Sequence, residues 1–420
     1  MRLIADLHIH SKYSRATSAG MNVEELARAA KIKGIHLLGT GDFTHPLWLK
    51  ELKEKLRAQE NGLFEYDEAL FMLTAEVSNV FEKNGKTRKI HNIIFAPSFE
   101  IVAQINEALG KKGDLSADGR PTLNMGACEL VEAVLGVSRE CMVVPAHAWT
   151  PWFSLFGANF GFDSAEECFG EQAKNIYALE TGLSSDPGMN WRLSALDKYA
   201  LISNSDSHST QKIGREANVF EFEPERVSYD AITNAIKQKD KKHFLMTIEF
   251  FPEEGKYHYD GHRAHGLSLA PEESRKYGNV CPVCRRRLTV GVLHRVEELA
   301  DRPPGFVPET AIPFKNIVPL SEIIADALGK NENTEAVKSE YERVVNYFGN
   351  EFAVLMDATR EELLKATSER VAEGVLRVRE GKIKVTPGYD GVYGKIDIFG
   401  SAGEKEKERK TSQRGLGEYL

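Results

Sequence analysis

Two histidines with one residue between them close the first apolar run of the chain, Arg2-Leu-Ile-Ala-Asp6-Leu-His8-Ile-His10. In a β-strand, residues i and i+2 point to the same face, so His8 and His10 aim two imidazoles at one point, as two ligands of one metal ion require. A pair of buried, hydrogen-bonded histidines would satisfy the same local pattern. Recurrence decides between the two. Asp42 follows the second apolar run, Glu76 ends the third, and His91 sits in the fourth. His147 follows Met142-Val-Val-Pro-Ala146, and Asp206 and His208 follow Leu201-Ile-Ser-Asn204. Surface acids favour helices, and core histidines have no reason to keep phase with successive strands. In a β/α barrel the carboxyl ends of the strands form one rim, where such side chains converge. The pattern predicts a polynuclear metal site.

The intervening segments fit that architecture. Asn22 reads as the N-cap of a helix over 23–33, with Gly34 as its stop. Strands are expected at 35–39, 70–77, 90–96, 142–145, 176–179, 200–204 and 218–222. Helices are expected at 46–59, 99–110, 127–138, 164–170, 189–197 and 228–237. The βαβα rhythm predicts an α/β fold with a parallel sheet, and Asn84-Gly85 predicts a hairpin turn within it.

At 420 residues the chain exceeds one ordinary core. Its character changes near residue 245, which divides it into a metal-dependent catalytic domain over 1–245 and three smaller parts. Residues 246–310 are rich in Gly, His, Pro and Arg and contain Cys281-Pro-Val-Cys284, the mark of a small module stapled by metal. Residues 311–400 read as a helical domain with a small β element. The last part, 401–420, reads as a polar, flexible tail.

The five cysteines include one close pair, which fits a reducing compartment and a metal clip better than a disulfide framework. Two further ligands are needed, and the i, i+3 spacing of His262 and His265 favours them over His258. Arg285-Arg-Arg287 follows the clip and offers a basic surface to phosphates. A net charge of −8 argues against indiscriminate coating of nucleic acid, not against a local basic groove. No apolar window approaches the length of a membrane span and no signal-peptide core opens the chain, so a cytoplasmic, nucleoid-associated protein is expected.

Arg15, Lys212 and Arg215 lie beside ligand motifs and are candidates to clamp phosphate. Trp149 and Trp152, in the loop after His147, are candidates to stack on a base, with Phe156 assigned to a local core.

These residues resemble a known family. Asp6-Leu-His-Ile-His-Ser11, Thr40-Gly-Asp42, Glu76, His91, Pro145-Ala-His147 and Ser205-Asp-Ser-His208 are similar to the ordered motifs of the PHP (polymerase and histidinol phosphatase) superfamily. The resemblance implies a distorted seven-stranded β/α barrel with a three-metal phosphoesterase centre. It further implies that His8, His10, Glu76 and Asp206 hold one ion. Glu76 would bridge to a second on His91 and His147, and Asp42 and His208 would hold a third. Glu76, Asp206 and His208 would carry the catalysis.

The chain departs from the fullest pattern, because Ser11–Val23 lacks the His or acid that completes the third site; His45 reads as an ordinary loop residue, with substitution for that ligand as the alternative. The clip and Pro387-Gly-Tyr-Asp-Gly-Val-Tyr-Gly-Lys395 extend the resemblance over the whole chain, to the endonuclease Q family of DNA-repair nucleases, and relatives of that kind carry a cysteine near His265. This wider resemblance implies nicking of damaged DNA on the 5′ side of deaminated bases (hypoxanthine, uracil, xanthine) and abasic sites. It also implies two or three Zn2+ in the centre and one structural Zn2+, with Mg2+ or Mn2+ able to support activity.

Gln413, Leu416, Tyr419 and Leu420 resemble the peptide with which repair proteins dock on the sliding clamp PCNA. The rival readings are a small-molecule phosphoesterase of the histidinol phosphatase kind and a DNA-binding scaffold without catalysis. The C-terminal half and the tail oppose the first; the near-complete ligand set opposes the second.

Overall fold

The computed structural model describes residues 1–400. The tail residues Gln413, Leu416, Tyr419 and Leu420 lie outside the described residues. Seven strands make the barrel: β1 (Arg2–Asp6), β2 (Leu37–Gly39), β3 (Ala69–Lys83), β4 (Lys86–Ala96), β5 (Met142–Pro145), β6 (Ala178–Glu180) and β7 (Ala200–Ile202). β1, β2 and β3 pair in parallel, as do β6 and β7, whereas β4 runs antiparallel to both β3 and β5. The reversal comes from Asn84-Gly85, both at positive φ (56° and 70°), the left-handed pair that a two-residue hairpin loop requires.

The remaining seams close through main-chain hydrogen bonds. Ala148 N–H donates to the Glu180 carbonyl at 2.9 Å, joining β5 to β6. His10 N–H donates to the Ser207 carbonyl at 2.9 Å, joining β7 to β1. Leu3, Ala5, Leu7, Leu37, Met72, Ile93, Phe95, Val144, Ala178 and Ile202 belong to one buried cluster, so the barrel interior is apolar. The rim must carry the polar chemistry.

Outside the barrel, β8 (Ala217–Glu221) pairs antiparallel with β1, and β9 (Phe244–Glu249) pairs antiparallel with β8. β10 (Asp260–His262) and β11 (Leu267–Leu269) form a separate two-stranded sheet, while β12 (Phe314–Asn316) returns to pair with β9. β9 thus straddles residue 245, and a strand from beyond residue 310 completes the sheet that begins with the barrel.

Helix α1 (Val23–Lys33) starts where the Asn22 side chain accepts from Glu25 N–H and stops at Gly34, whose φ is +86°. Beyond the clip come α2 (Val292–Leu299), α3 (Leu320–Leu328), α4 (Glu335–Phe348), α5 (Arg360–Ala366) and α6 (Glu369–Arg379). The helical part is tied to α1 by Lys33, which pairs with buried Glu351 at 2.6 Å. Tyr341 OH (2.5 Å) and Leu320 N–H (2.9 Å) donate to the same carboxylate.

Some expected elements differ. The helix expected over 46–59 ends at Lys55, and Arg57–Ala58 pairs with Phe64–Tyr66 instead. The stretch 189–197 holds only a short helix, Pro187–Asn190, and a 3-10 turn, Ser194–Leu196. Between residues 359 and 379 the helical part breaks into α5 and α6, because Ser368 accepts from Val371 N–H and restarts the chain as α6. The small β element expected within 311–400 is Lys384–Thr386 paired with Lys395–Asp397.

Candidate metal centre

Side chains from five barrel strands, or from the loops that follow them, meet at one rim. His8 and His10 come from the end of β1, Glu76 from β3, His91 from the reversed β4, His147 from after β5, and Asp206 from after β7. His8, His10, Glu76 and Asp206 each offer a ligand atom within 4.8 Å of the others, and so do Glu76, His91 and His147. Glu76 is therefore common to both groups. Its Oε2 lies 3.1 Å from His10 Nε2, and its Oε1 lies 2.7 Å from His91 Nδ1 and 3.0 Å from His147 Nε2.

The backbone is bent to achieve this. His147 and Asp206 have φ of 31° and 48°, in the left-handed region that non-glycine residues rarely adopt.

The back of each imidazole is held. Glu180 accepts from His8 Nδ1 at 3.0 Å, and Asp42 accepts from His10 Nδ1 at 2.9 Å. With those protons fixed at Nδ1, each Nε2 turns a lone pair forward. His8 Nε2, His10 Nε2 and Asp206 Oδ1 are all buried without a hydrogen-bond partner, and His10 Nε2 stands 3.1 Å from Asp206 Oδ1. Facing lone pairs in a buried site call for a cation. Imidazole nitrogen with carboxylate oxygen is a donor set that suits zinc, and the shared carboxylate tolerates manganese or magnesium.

The same anionic surroundings attract positive charge, and without a metal ion they draw a proton instead. Burial opposes charge on His8, yet Glu180 and Glu76 raise its pKa well above the ordinary value. Burial pushes the Glu76 carboxyl up, and the charges of His91, Arg120 and His8 overcome it and hold it well below the usual carboxylate range.

Several expected residues take other roles. Asp42 is engaged by hydrogen bonds to the protein. Besides His10, its carboxylate accepts from Ser11 N–H (2.6 Å), Ser11 OH (2.7 Å) and Ser14 OH (2.9 Å), so it stands behind His10 as an orienting group. Asp42 and His208 belong to neither of the two ligand groups at this rim. His208 lies at the mouth with its ring 4.5 Å from His10 and its Nδ1 2.9 Å from the Asp206 carbonyl.

Trp149 is corrected. It is buried against Phe156, its indole N–H donates to Asn190 at 2.8 Å, and no face is left for a base. Trp152 is half-buried and meets the edge of Tyr257 at 4.7 Å. Lys212 is paired with Glu322 at 2.9 Å, and Arg215 donates to the Ser205 carbonyl at 2.9 and 3.1 Å, which secures the loop carrying Asp206. Both cations are spent on the protein itself. Arg15 is exposed and lies 3.2 Å from Asp118. His45 stacks on Tyr13 at 4.5 Å, away from both groups.

Away from the barrel, His262, His265, Cys281 and Cys284 also offer ligand atoms within 4.8 Å of one another. His262 Nδ1 is 2.8 Å from His265 Nδ1, and Cys281 Sγ is 3.6 Å from it. Arg285, Arg286 and Arg287 are exposed beside this group.

Two residues of the centre carry no clear mark in the sequence. Glu180 ends the apolar run Tyr177-Ala-Leu-Glu180, in the same phase as the other strand-end groups, and the expected strand stopped one residue short of it. Arg120, whose Nη1 lies 3.1 Å from Glu76 Oε2, sits in an irregular loop with no local signal.

The family profile described as MJ0043 C-terminal domain matches residues 319–382. The uncharacterized protein MJ0043 of Methanocaldococcus jannaschii is 34% identical over 278 residues, which are 64% of this chain and 34% of that protein, so the match spans about a third of that curated relative. The crystal structure of the lesion-specific endonuclease PfuEndoQ from Pyrococcus furiosus is similar over 97% of this chain and 99% of that one, with 32% identity and a TM-score of 0.85. The chain belongs to the endonuclease Q family. A second endonuclease Q structure, in complex with a 27-mer duplex bearing an abasic lesion at the active site, matches 96% of this chain and all of that one, with 32% identity and a TM-score of 0.84. Membership places the chain among metal-dependent DNA-repair endonucleases, and the seven-stranded barrel followed by a helical C-terminal region is the fold of that family.

Proposed function

We propose that this chain hydrolyses the DNA phosphodiester on the 5′ side of deaminated bases (hypoxanthine, uracil, xanthine) and abasic sites. The observation that carries the reading is Glu76, fully buried and shared between two ligand groups, in the first of which His8 Nε2, His10 Nε2 and Asp206 Oδ1 are buried with no partner. Divalent ions at such a centre acidify a bound water to near neutrality and polarise a phosphoryl oxygen. The chain's own residues do the rest. Glu180 and Asp42 hold the Nδ1 protons of His8 and His10, Arg215 secures the Asp206 loop, and half-buried His208 is held at Nδ1 by the Asp206 carbonyl. Zn2+ is the proposed native ion, with Mn2+ or Mg2+ able to serve at the carboxylate bridge.

Within the same reading, His262, His265, Cys281 and Cys284 hold one structural zinc, and the neighbouring arginines bear on DNA phosphates. Trp152 and Arg15 contact the substrate. Residues Gln413, Leu416, Tyr419 and Leu420 bind a PCNA-type clamp. No helix among the described residues is long and apolar enough to cross a membrane. A cytoplasmic place at the nucleoid is proposed from the DNA substrate.

The test uses purified protein, added metal, and duplexes that carry one abasic site, inosine or uracil, beside an undamaged duplex and histidinol phosphate. Nicks mapped to the 5′ side of the lesion are expected. Release of phosphate from histidinol phosphate with no nicking would instead favour the small-molecule reading.

A further inference from the structure

Of the cations beside the ligand motifs, Lys212 and Arg215 are engaged with the protein and Arg15 pairs with Asp118 at the surface. Arg120 differs from all three. It follows Gly119, where a Cβ would fall 2.3 Å from Asp42 Oδ2 and 2.2 Å from Ser14 Oγ. Only glycine lets this loop lie on the buried Ser14–Asp42–His10 chain. The loop is pinned by Gly119 N–H donating to the Tyr13 carbonyl at 3.1 Å and by Thr44 OH donating to the Gly119 carbonyl at 3.2 Å. The next residue thereby delivers a guanidinium to the bridging carboxylate.

That guanidinium is half used. Arginine has five side-chain N–H donors, and among the described residues Arg120 engages one acceptor, Glu76 Oε2. Its side chain is 30% exposed, so the guanidinium on the bridging carboxylate is within reach of solvent and of a ligand. A permanent cation beside a site built to bind divalent cations is repelled by them, and the one carboxylate between, Glu76, is already shared by both ligand groups, so a further anion is favoured there. On the proposed reading, the anion that enters this mouth is a DNA phosphodiester, and the planar fork of arginine matches its two free oxygens.

We infer that Arg120 is a substrate-binding residue that holds a non-bridging phosphate oxygen of the DNA strand at the metal centre. The inference rests on the endonuclease reading. The competing role is positional, in which Arg120 only steadies Glu76 for the metal.

The two roles separate by what each substitution weakens. Arg120→Lys, Arg120→Gln and Arg120→Ala would be compared with wild type in zinc affinity and in affinity for an abasic-site duplex. The duplex carries a methylene in place of the bridging oxygen that would leave, so binding is read without cleavage. Expected is a ~10- to 100-fold loss of DNA affinity in Arg120→Gln, the size of one charge-assisted contact. The salt dependence should fall by about one phosphate. Zinc affinity should stay near wild type, and free guanidinium should partly restore both binding and nicking in Arg120→Ala.

Unchanged DNA affinity and salt dependence with weakened zinc binding would overturn the inference in favour of the positional role. Should the alanine variant not fold, Arg120→Lys, which keeps the charge and loses the fork, carries the same comparison. Wild-type protein that neither binds nor nicks the duplex would overturn the endonuclease reading itself, and this inference with it.

Discussion

Glu180→Gln is the sharpest perturbation of the centre, because it keeps the shape and removes one acceptor. The Glu180 carboxylate is fully buried and accepts from three donors: His8 Nδ1 at 3.0 Å, Asn204 Nδ2 at 2.9 Å and His147 N–H at 2.8 Å. A glutamine has one oxygen and one NH2 at these positions. With the oxygen toward His147, the amide nitrogen meets the Asn204 amide and His8; with the amide turned over, it meets His147 N–H. Asn204 cannot flip to compensate, because its Oδ1 already accepts from Leu7 N–H at 2.8 Å and Asn218 Nδ2 at 2.9 Å.

One buried donor is therefore stranded in either orientation, at about 1–3 kcal/mol of stability. His8 also loses the anion that fixes its Nδ1 proton, and losing such an outer partner costs roughly 10–100-fold in metal affinity, about 1.4–2.7 kcal/mol. Competition against a chromogenic chelator reads the metal affinity, denaturant unfolding reads the stability, and nicking should recover in excess metal. Metal affinity within about twofold of wild type would refute the orienting role given to Glu180.

Glu76→Gln removes charge from both ligand groups, so nicking should collapse by more than the ~100-fold of an outer-partner change while circular dichroism stays native; full activity in saturating metal would refute the bridge. Cys281→Ser with Cys284→Ser should release one equivalent of zinc and expose the segment from β10 to α2 to proteolysis, and an unchanged zinc content would place that metal elsewhere. Burial raises the pKa of Glu249, against the hydroxyls of Thr247 and Thr181, so the folded state binds that proton more tightly than the unfolded chain. Its contribution is fully present below the unfolded value of 4.5 and is lost as pH rises toward the raised folded value. Glu249→Gln should therefore flatten the fall of melting temperature from weakly acidic to weakly alkaline pH; parallel profiles would contradict this. Trp152→Ala should reduce cutting of duplex more than of single strands, because stacking offsets the cost of opening; equal losses would remove that role.

Local chemistry was legible in the residues alone. The i, i+2 spacing of His8 and His10 placed both on one face as the chain leaves β1, and the phase of His147 and Asp206 after their strands brought them to one rim, which Glu76 joins from within β3. Asn22 and Gly34 bounded α1, and Asn84-Gly85 made the hairpin that reverses β4. These are short-range consequences of pleat, cap and turn, and they hold whatever surrounds them.

Which neighbour each group meets was decided by the tertiary structure. Asp42 has the same residue type and the same strand-end phase as a ligand, yet the Ser11 N–H and the hydroxyls of Ser11 and Ser14 take its lone pairs, with Gly119 packed against it, and leave it behind His10. Trp149, adjacent to a ligand, turns inward to Asn190 and Phe156. Arg120 reaches Glu76 across 44 residues of chain through a loop without regular structure. A strand's period dictates where a side chain points, whereas its hydrogen-bond partners come from distant segments whose approach only the closed barrel sets.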